Sequence, residues 1–161
     1  MTTAEFNKTV DLYSDNLYRF ILKNIRNEEA AQDIVQDTFE KLWKKVDEIK
    51  YETAKSYMFS AGYRTMIDLI RKDKNLGDIE HVAEDSYSTN EQYSDIQEVL
   101  QLALKTLPEI QRSVIMLRDY EGYPYDEIGQ ITGLTESQVK VYIFRARKSL
   151  KRYIGNLEMV V

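Results

Sequence analysis

Between Ser137 and Asn156 the sequence places six cations, Lys140, Arg145, Arg147, Lys148, Lys151 and Arg152, and no carboxylate. Cations gathered on one short segment neutralise phosphates, so the chemistry on offer there is nucleic-acid binding. A second set lies nearer the start. Asp33, Gln36, Asp37 and Glu40 recur at spacings of three and four, which aligns them as an acidic ridge on one helix face, and Trp43 continues the row. Carboxylates early in a helix also suit its positive N-terminus, so spacing alone favours a solvated ridge over one aimed at a partner. In a third set, Tyr51, Tyr57, Phe59 and Tyr63 are interleaved with Lys50, Lys55, Arg64, Arg71 and Lys72. Rings that stack on bases beside cations that track phosphates suit single-stranded nucleic acid, while aromatics at helical spacing more often form a core.

Catalytic constellations are missing from the sequence. It has no GxxxxGK[ST] loop, no GxSxG, no cysteine, and one histidine, His81, in polar surroundings. Thiolate chemistry, disulfides and a His/Cys metal centre are thereby excluded, and the expectation is no catalytic residue, no metal, no cofactor and no small-molecule substrate. The absence of cysteine fits a reducing compartment. With no secretory signal and no long apolar run, the chain is expected to be cytoplasmic, without direct membrane insertion.

The elements that must position these side chains are helical. Phe6, Val10, Tyr13, Leu17, Phe20 and Ile21 make one stripe of a helix over 5–26, and Asn27 ends it and can cap the next. That next helix, 28–46, turns Ala31, Ile34, Val35, Phe39, Leu42 and Val46 inward. A third helical stretch begins at Ala54, with Tyr57, Met58, Ala61, Ile67 and Ile70 repeating irregularly. Periodicity then fails in DKNLGDIEHVAEDSYSTNEQYSD, residues 73–95, which reads as a flexible acidic linker. Beyond it Ile96, Val99, Leu100, Ala103 and Leu107 form a helix that Pro108 ends, and Ile110, Val114 and Leu117 face inward on the following one. Glu121-Gly122 turns the chain into a short helix opened by Pro124, with Asp126 and Glu127 in its first turn and Ile128 and Ile131 facing inward. Gly133 breaks that helix. Thr135 and Gln138 then form a capping box for the basic helix, whose inner stripe is Val139, Ile143, Ala146, Leu150 and Ile154. Helix, glycine turn and capped basic helix fit the helix-turn-helix pattern, in which early residues of the second helix reach base edges in the major groove; the alternative from the pattern alone is a helical hairpin whose second helix wears a solvated basic face.

The fold class expected is therefore all-α, two small helical domains joined by a flexible acidic linker. The boundaries are 1–72, 73–95 and 96–161. Net charge is −5, yet its distribution is uneven: residues 1–72 hold 12 basic and 12 acidic side chains, 73–95 hold 1 and 7, and 96–161 hold 9 and 8. Because phosphate contacts supply most non-specific affinity, weak DNA binding is expected of the isolated chain.

Four segments in this order carry a resemblance: EEAAQDIVQDTFEKLWKK, AKSYMFSAGYRTMIDLIRKDK, the acidic linker, and LPEIQRSVIMLRDYEGYPYDEIGQITGLTESQVKVYIFRARKSLKR. Together they resemble an extracytoplasmic-function sigma factor of the bacterial sigma-70 family. The resemblance implies a non-enzymatic subunit that directs core RNA polymerase to promoters. It implies that Asp33, Gln36, Asp37, Glu40 and Trp43 meet the clamp helices of the largest polymerase subunit, reversing the solvated reading of the ridge. It implies −10 DNA contacts from Lys50, Tyr51, Tyr57, Arg64, Arg71 and Lys72, and −35 contacts from Ser137, Lys140, Val141, Phe144, Arg145 and Lys148. The family commonly has Trp and Asn where this chain has Tyr57 and Arg64. The linker resembles the segment that threads the RNA exit channel, and an anti-sigma factor is implied as a further partner. The alternative from the residues themselves is a stand-alone helix-turn-helix regulator with an N-terminal interaction domain. A third class is a helical adaptor with no DNA role.

Overall fold

The computed structural model describes the backbone of residues 1–76 and 95–160 and the side-chain surroundings of 1–73 and 96–156. Most of the acidic linker, with His81, lies outside the described residues. Among those described, the regular structure is helical throughout: α1 (Thr3–Ile25), α2 (Glu28–Lys44), a 3-10 turn (Tyr51–Thr53), α3 (Ala54–Leu76), α4 (Asp95–Lys105), α5 (Glu109–Ile115), a π-helical turn (Met116–Tyr120), α6 (Tyr125–Thr132) and α7 (Glu136–Val160). They gather into two compact units, one built on α1–α3 and the other on α4, α5 and α7.

In the first unit each of the three helices packs on the other two. The Thr2 side chain accepts from the Glu5 amide at 3.0 Å and the Glu5 carboxylate accepts from the Thr2 amide at 2.9 Å, a reciprocal cap that opens α1. At its far end the sequence expectation is divided between two residues. Arg26 takes the left-handed turn, at φ 58°, and closes α1 with its amide on the Leu22 carbonyl, while Asn27 accepts from the Ala30 amide and caps α2. Leu17, Phe20 and Ile21 meet Ala31, Ile34 and Leu42 and the α3 residues Ala54, Met58, Phe59, Ala61 and Met66 in the core. The rings of Phe20 and Phe59 meet edge-on, 5.7 Å between centroids. Complete burial of each such side chain contributes about 1.5–3 kcal/mol.

Several inward assignments shift. Val35, Phe39 and Val46 are only half-buried, α2 stops at Lys44, and the buried position between them belongs to Thr38, whose hydroxyl donates to the Ile34 carbonyl at 2.8 Å. On α3, Tyr57, Ile67 and Ile70 are half-buried while Phe59, Tyr63 and Met66 go inside. Phe59 and Tyr63 are thus removed from the set of rings available to stack on bases.

In the second unit α7 is the spine, packed on α4 and α5. Val139, Ile143 and Ala146 are buried, and Leu150 and Ile154 half-buried. The helix after Pro108 does not remain an α-helix: it widens at Met116–Tyr120, where the Glu121 amide reaches the Met116 carbonyl, five residues back, at 3.2 Å. Val114 to Leu117 are buried consecutively, more than one α-helical stripe would bury. Ile96, read as inward-facing, is instead 79% exposed in the first turn of α4.

Two devices hold this unit in register. Arg112 is buried and donates to the Leu104 carbonyl at 3.3 Å and the Leu107 carbonyl at 2.9 Å, satisfying acceptors where α4 ends. Gly129 in α6 lies so close to the turn that a Cβ there would stand 2.6 Å from the Leu134 carbonyl oxygen. Gly133 follows with φ 81°.

Two outcomes are expected. Arg112→Met lowers stability by about 2–3 kcal/mol, because two helix-end carbonyls lose a charged donor. Gly129→Ala pushes the turn off α6 and lowers the melting temperature of the second unit, while Gly155→Ala, with nothing within 4 Å of its added methyl, does not. Urea and thermal unfolding followed by circular dichroism check both.

Candidate functional site

The acidic ridge is assembled by the periodicity of α2. Asp33, Gln36 and Glu40 are exposed, Asp37 is half-buried, and the inner face of the same helix carries Ile34 and Leu42. Trp43 remains 47% exposed, with its ring fixed edge-on against Phe6 of α1 at 5.0 Å. An indole held by one neighbour and open on the other side is a ready apolar anchor for a partner. Asp37 is not free. Its carboxylate pairs with Lys41 one turn later at 3.0 Å, and Lys41 also donates to the Thr65 hydroxyl of α3 at 3.2 Å.

The residues expected at the −10 element separate into three places. Lys50 is exposed and Tyr51 half-buried at the 3-10 turn, where the Lys8 ammonium sits 5.9 Å from the Tyr51 ring centre. Tyr57 and Arg64 line one concavity between α2 and α3. Arg71 and Lys72 are exposed further along α3, about 10 Å beyond Arg64 by helical rise. That concavity also takes in Lys41, Lys44 and Lys45, which the sequence reading did not single out. A Lys-Lys pair closing a helix reads as a complement to the helix dipole, and only the crossing of α3 brings it to Tyr57.

On α7 the capping box forms as the sequence indicates. The Gln138 amide donates to the Thr135 hydroxyl at 3.1 Å and the Thr135 amide to the Gln138 side-chain oxygen at 2.9 Å. Ser137, Lys140, Val141, Phe144, Arg145 and Lys148 are all exposed, opposite the buried stripe. Ser137, Val141 and Arg145 share a shallow concavity of about 190 Å³ with Gln138 and Tyr142, whereas Lys140, Phe144 and Lys148 stand beside it. Phe144 is 67% exposed and Val141 45%. Apolar side chains so displayed on a basic helix suit contact with a thymine methyl group.

Neighbouring charges hold this surface in place. The Arg147 guanidinium meets the Asp119 carboxylate at 2.7 Å, tying α7 to the π-helical turn. Arg118 donates to the Tyr123 carbonyl at 3.0 Å and lies 4.5 Å from the centre of the Tyr125 ring. Lys140 approaches the same ring at 5.7 Å and the Glu136 carboxylate at 3.7 Å, so its ammonium is steered but still exposed. Arg147 is engaged by Asp119, while Lys140, Arg145 and Lys148, the cations expected at the −35 element, are exposed.

Comparison with known proteins follows the same division. Residues 9–76 match the family model for sigma-70 region 2, and residues 97–150 match that for sigma-70 region 4. The RNA polymerase sigma factor SigV of Bacillus subtilis is 32% identical, over 86% of this chain and 84% of its own length. The ECF RNA polymerase sigma factor SigM of the same organism is 26% identical, over 87% of this chain and 89% of its own. Among solved structures, the sigma factor RpoE of Bartonella quintana, crystallised with the anti-sigma factor NepR, superposes with a TM-score of 0.75 at 25% identity. The match covers 93% of this chain and 96% of RpoE. With an acidic ridge on one helix, a basic face on another and both sigma regions matched in order, the chain belongs to the extracytoplasmic-function sigma factors of the sigma-70 family.

Proposed function

We propose that the chain is the promoter-specificity subunit of a bacterial RNA polymerase, with three surfaces doing separate work and no chemistry of its own. Residues 1–72 act as the unit that docks on core polymerase and handles the −10 element, 73–95 as the linker, and 96–161 as the −35 reader. Asp33, Gln36, Asp37, Glu40 and Trp43 meet the basic clamp helices of the largest subunit. Lys50, Tyr51, Tyr57, Arg64, Arg71 and Lys72 take the −10 element, and Ser137, Lys140, Val141, Phe144, Arg145 and Lys148 the −35 element.

The observation that carries this reading is that the acidic set on α2 and the basic set on α7 each lie on the outward side of a helix whose opposite side is core. Carboxylates on a rigid face give register and association rate with a basic partner. Cations and adaptable polar groups at the start of α7 suit the major groove. A stand-alone regulator is not favoured, since the relatives matching both halves are sigma factors. RpoE was solved with NepR, and an anti-sigma factor covering these same faces is the further partner proposed here. The place of action is the cytoplasm, where polymerase and promoter are. No helix among the described residues is long and apolar enough to cross a membrane.

Binding to core polymerase and run-off transcription from selected promoters test the reading together; failure to form a stable complex with core would sink it. Asp33→Ala with Gln36→Ala should weaken core binding by about tenfold, measured by labelled-chain titration at two salt concentrations. Arg145→Ala or Lys140→Ala should leave core binding alone and lose ~1–3 kcal/mol at the −35 element for each base contact removed. Holoenzyme titrations on matched and altered promoters check that difference.

A further inference from the structure

The box that caps α7 fixes the direction of one exposed side chain. Thr135 donates twice to a single atom: its backbone amide meets the Gln138 side-chain oxygen at 2.9 Å, and its hydroxyl meets the same oxygen at 3.3 Å. The Gln138 backbone amide returns a bond to the Thr135 hydroxyl at 3.1 Å and closes the box. A backbone N–H can only donate, so the atom turned toward Thr135 is the carbonyl oxygen, and the NH2 group of the Gln138 side chain is turned away. No described residue accepts from that NH2 group. Gln138 is exposed and lines the shallow concavity of about 190 Å³ with Ser137, Val141, Tyr142 and Arg145. Arg145, seven residues on, also carries donors only, and its guanidinium lies 5.9 Å from the centre of the Tyr142 ring. This concavity on the outward side of α7 is therefore furnished with N–H donors from both residues, and Val141 lies between them along the helix.

We infer that Gln138 is a specificity-determining residue for the −35 element, held by its own helix cap so that it offers a base two donors and no acceptor, and that it selects guanine at one base pair. The inference rests on the proposed −35 role of α7 and adds a residue that the proposed set does not contain. An unconstrained glutamine pairs with adenine, donating to N7 and accepting from the N6 amino group. Here the accepting half of that pairing is occupied by Thr135, and the adenine amino group would meet the Gln138 NH2 group donor to donor. Guanine presents N7 and O6, two acceptors side by side, which one amino group bridges as a lysine ammonium does. Cytosine shows a donor in the groove and is refused on the same ground as adenine. Thymine offers the single acceptor O4, which leaves the second N–H desolvated and unpaired. Turning the carbonyl outward to suit adenine would strip the Thr135 amide of its acceptor at the start of α7, so the preference is built in before DNA arrives.

The test uses the full chain assembled with core polymerase and a promoter set in which each base pair of the −35 region is changed in turn to every other. Holoenzyme binding to labelled promoter and run-off transcription are read for each. At one position the wild-type chain is expected to favour guanine over adenine by about tenfold. Gln138→Glu keeps an oxygen for the Thr135 amide, so the cap and the melting temperature by circular dichroism persist, but a second acceptor replaces the donors. At that position alone the preference should move from guanine to cytosine, whose amino group donates to a carboxylate. Gln138→Ala should abolish the preference there and keep the ranking elsewhere. An overall weakening with the ranking unchanged at every position in both variants would leave Gln138 a cap without a reading role and overturn the inference. So would adenine as the favoured base at the position that responds to Gln138→Glu. Arg145→Ala is read in parallel. If it weakens −35 use while the Gln138 variants alter no preference, the −35 reading stands and the inference falls. If neither a base change in the −35 region nor any of these variants alters binding, both fall.

Discussion

Electrostatic repulsion between a chain of net charge −5 and the polyanion it is proposed to bind is the constraint to which the rest of the structure answers. A uniformly mixed surface with that excess of carboxylates would repel DNA at every approach. The chain meets the constraint by segregation. The outward face of α7 displays Lys140, Arg145 and Lys148, the α2–α3 concavity displays Lys44, Lys45 and Arg64, and residues 73–95 hold 7 of the 27 carboxylates against a single cation. Local potential, rather than total charge, then decides what each surface attracts.

Helix α2 carries both signs, and the Asp37–Lys41 pair is the seam between them. Toward its start the helix presents Asp33, Gln36 and Asp37; toward its end Lys41, Lys44 and Lys45 turn to α3. An exposed pair one turn apart is worth about 0.3–0.5 kcal/mol, so either partner is easily recruited by something stronger. On the proposed reading, a clamp-helix cation that takes Asp37 leaves Lys41 to the concavity.

The fold was largely legible because helical periodicity and capping chemistry are local properties. Thr135 and Gln138 close their box as written, and the stripe Val139, Ile143, Ala146 faces inward. What sequence reasoning misplaced was decided by contacts between helices. Thr38 takes a core position because its hydroxyl can be satisfied by the Ile34 carbonyl of its own helix, which a hydropathy pattern scores as polar. Phe59 and Tyr63 looked like base-stacking candidates beside basic residues, but α3 is covered on both flanks by α1 and α2 and takes them inside. Residues 112 to 117 are buried in succession where α5 passes into the π-helical turn, which no 3.6-residue pattern anticipates. Arg112 shows the limit most clearly: in sequence it is one cation among many, and in the structure it is a buried fastening between α4 and α5. The acidic row on α2 and the cation run on α7 were visible in single-helix spacing, while their binding roles came from the family resemblance; the concavity was not visible, because Lys44 and Lys45 close α2 and Tyr57 lies on α3.

The same distinction bears on how firmly α7 holds the side chains proposed to contact bases. A base contact is useful only if its donor is held within a fraction of an ångström before binding, since ordering a long side chain on contact costs free energy that would otherwise go to discrimination. Arg147 is committed to Asp119, and the Tyr125 ring lies near both Arg118 and Lys140. Phe144 and Val141, by contrast, leave apolar surface in water with no structural use in the chain itself. Exposed apolar groups amid cations are favourable only when something covers them. On the proposed reading that cover is the major groove, and the exposure is what the free protein retains so that the bound one has a hydrophobic contact to form.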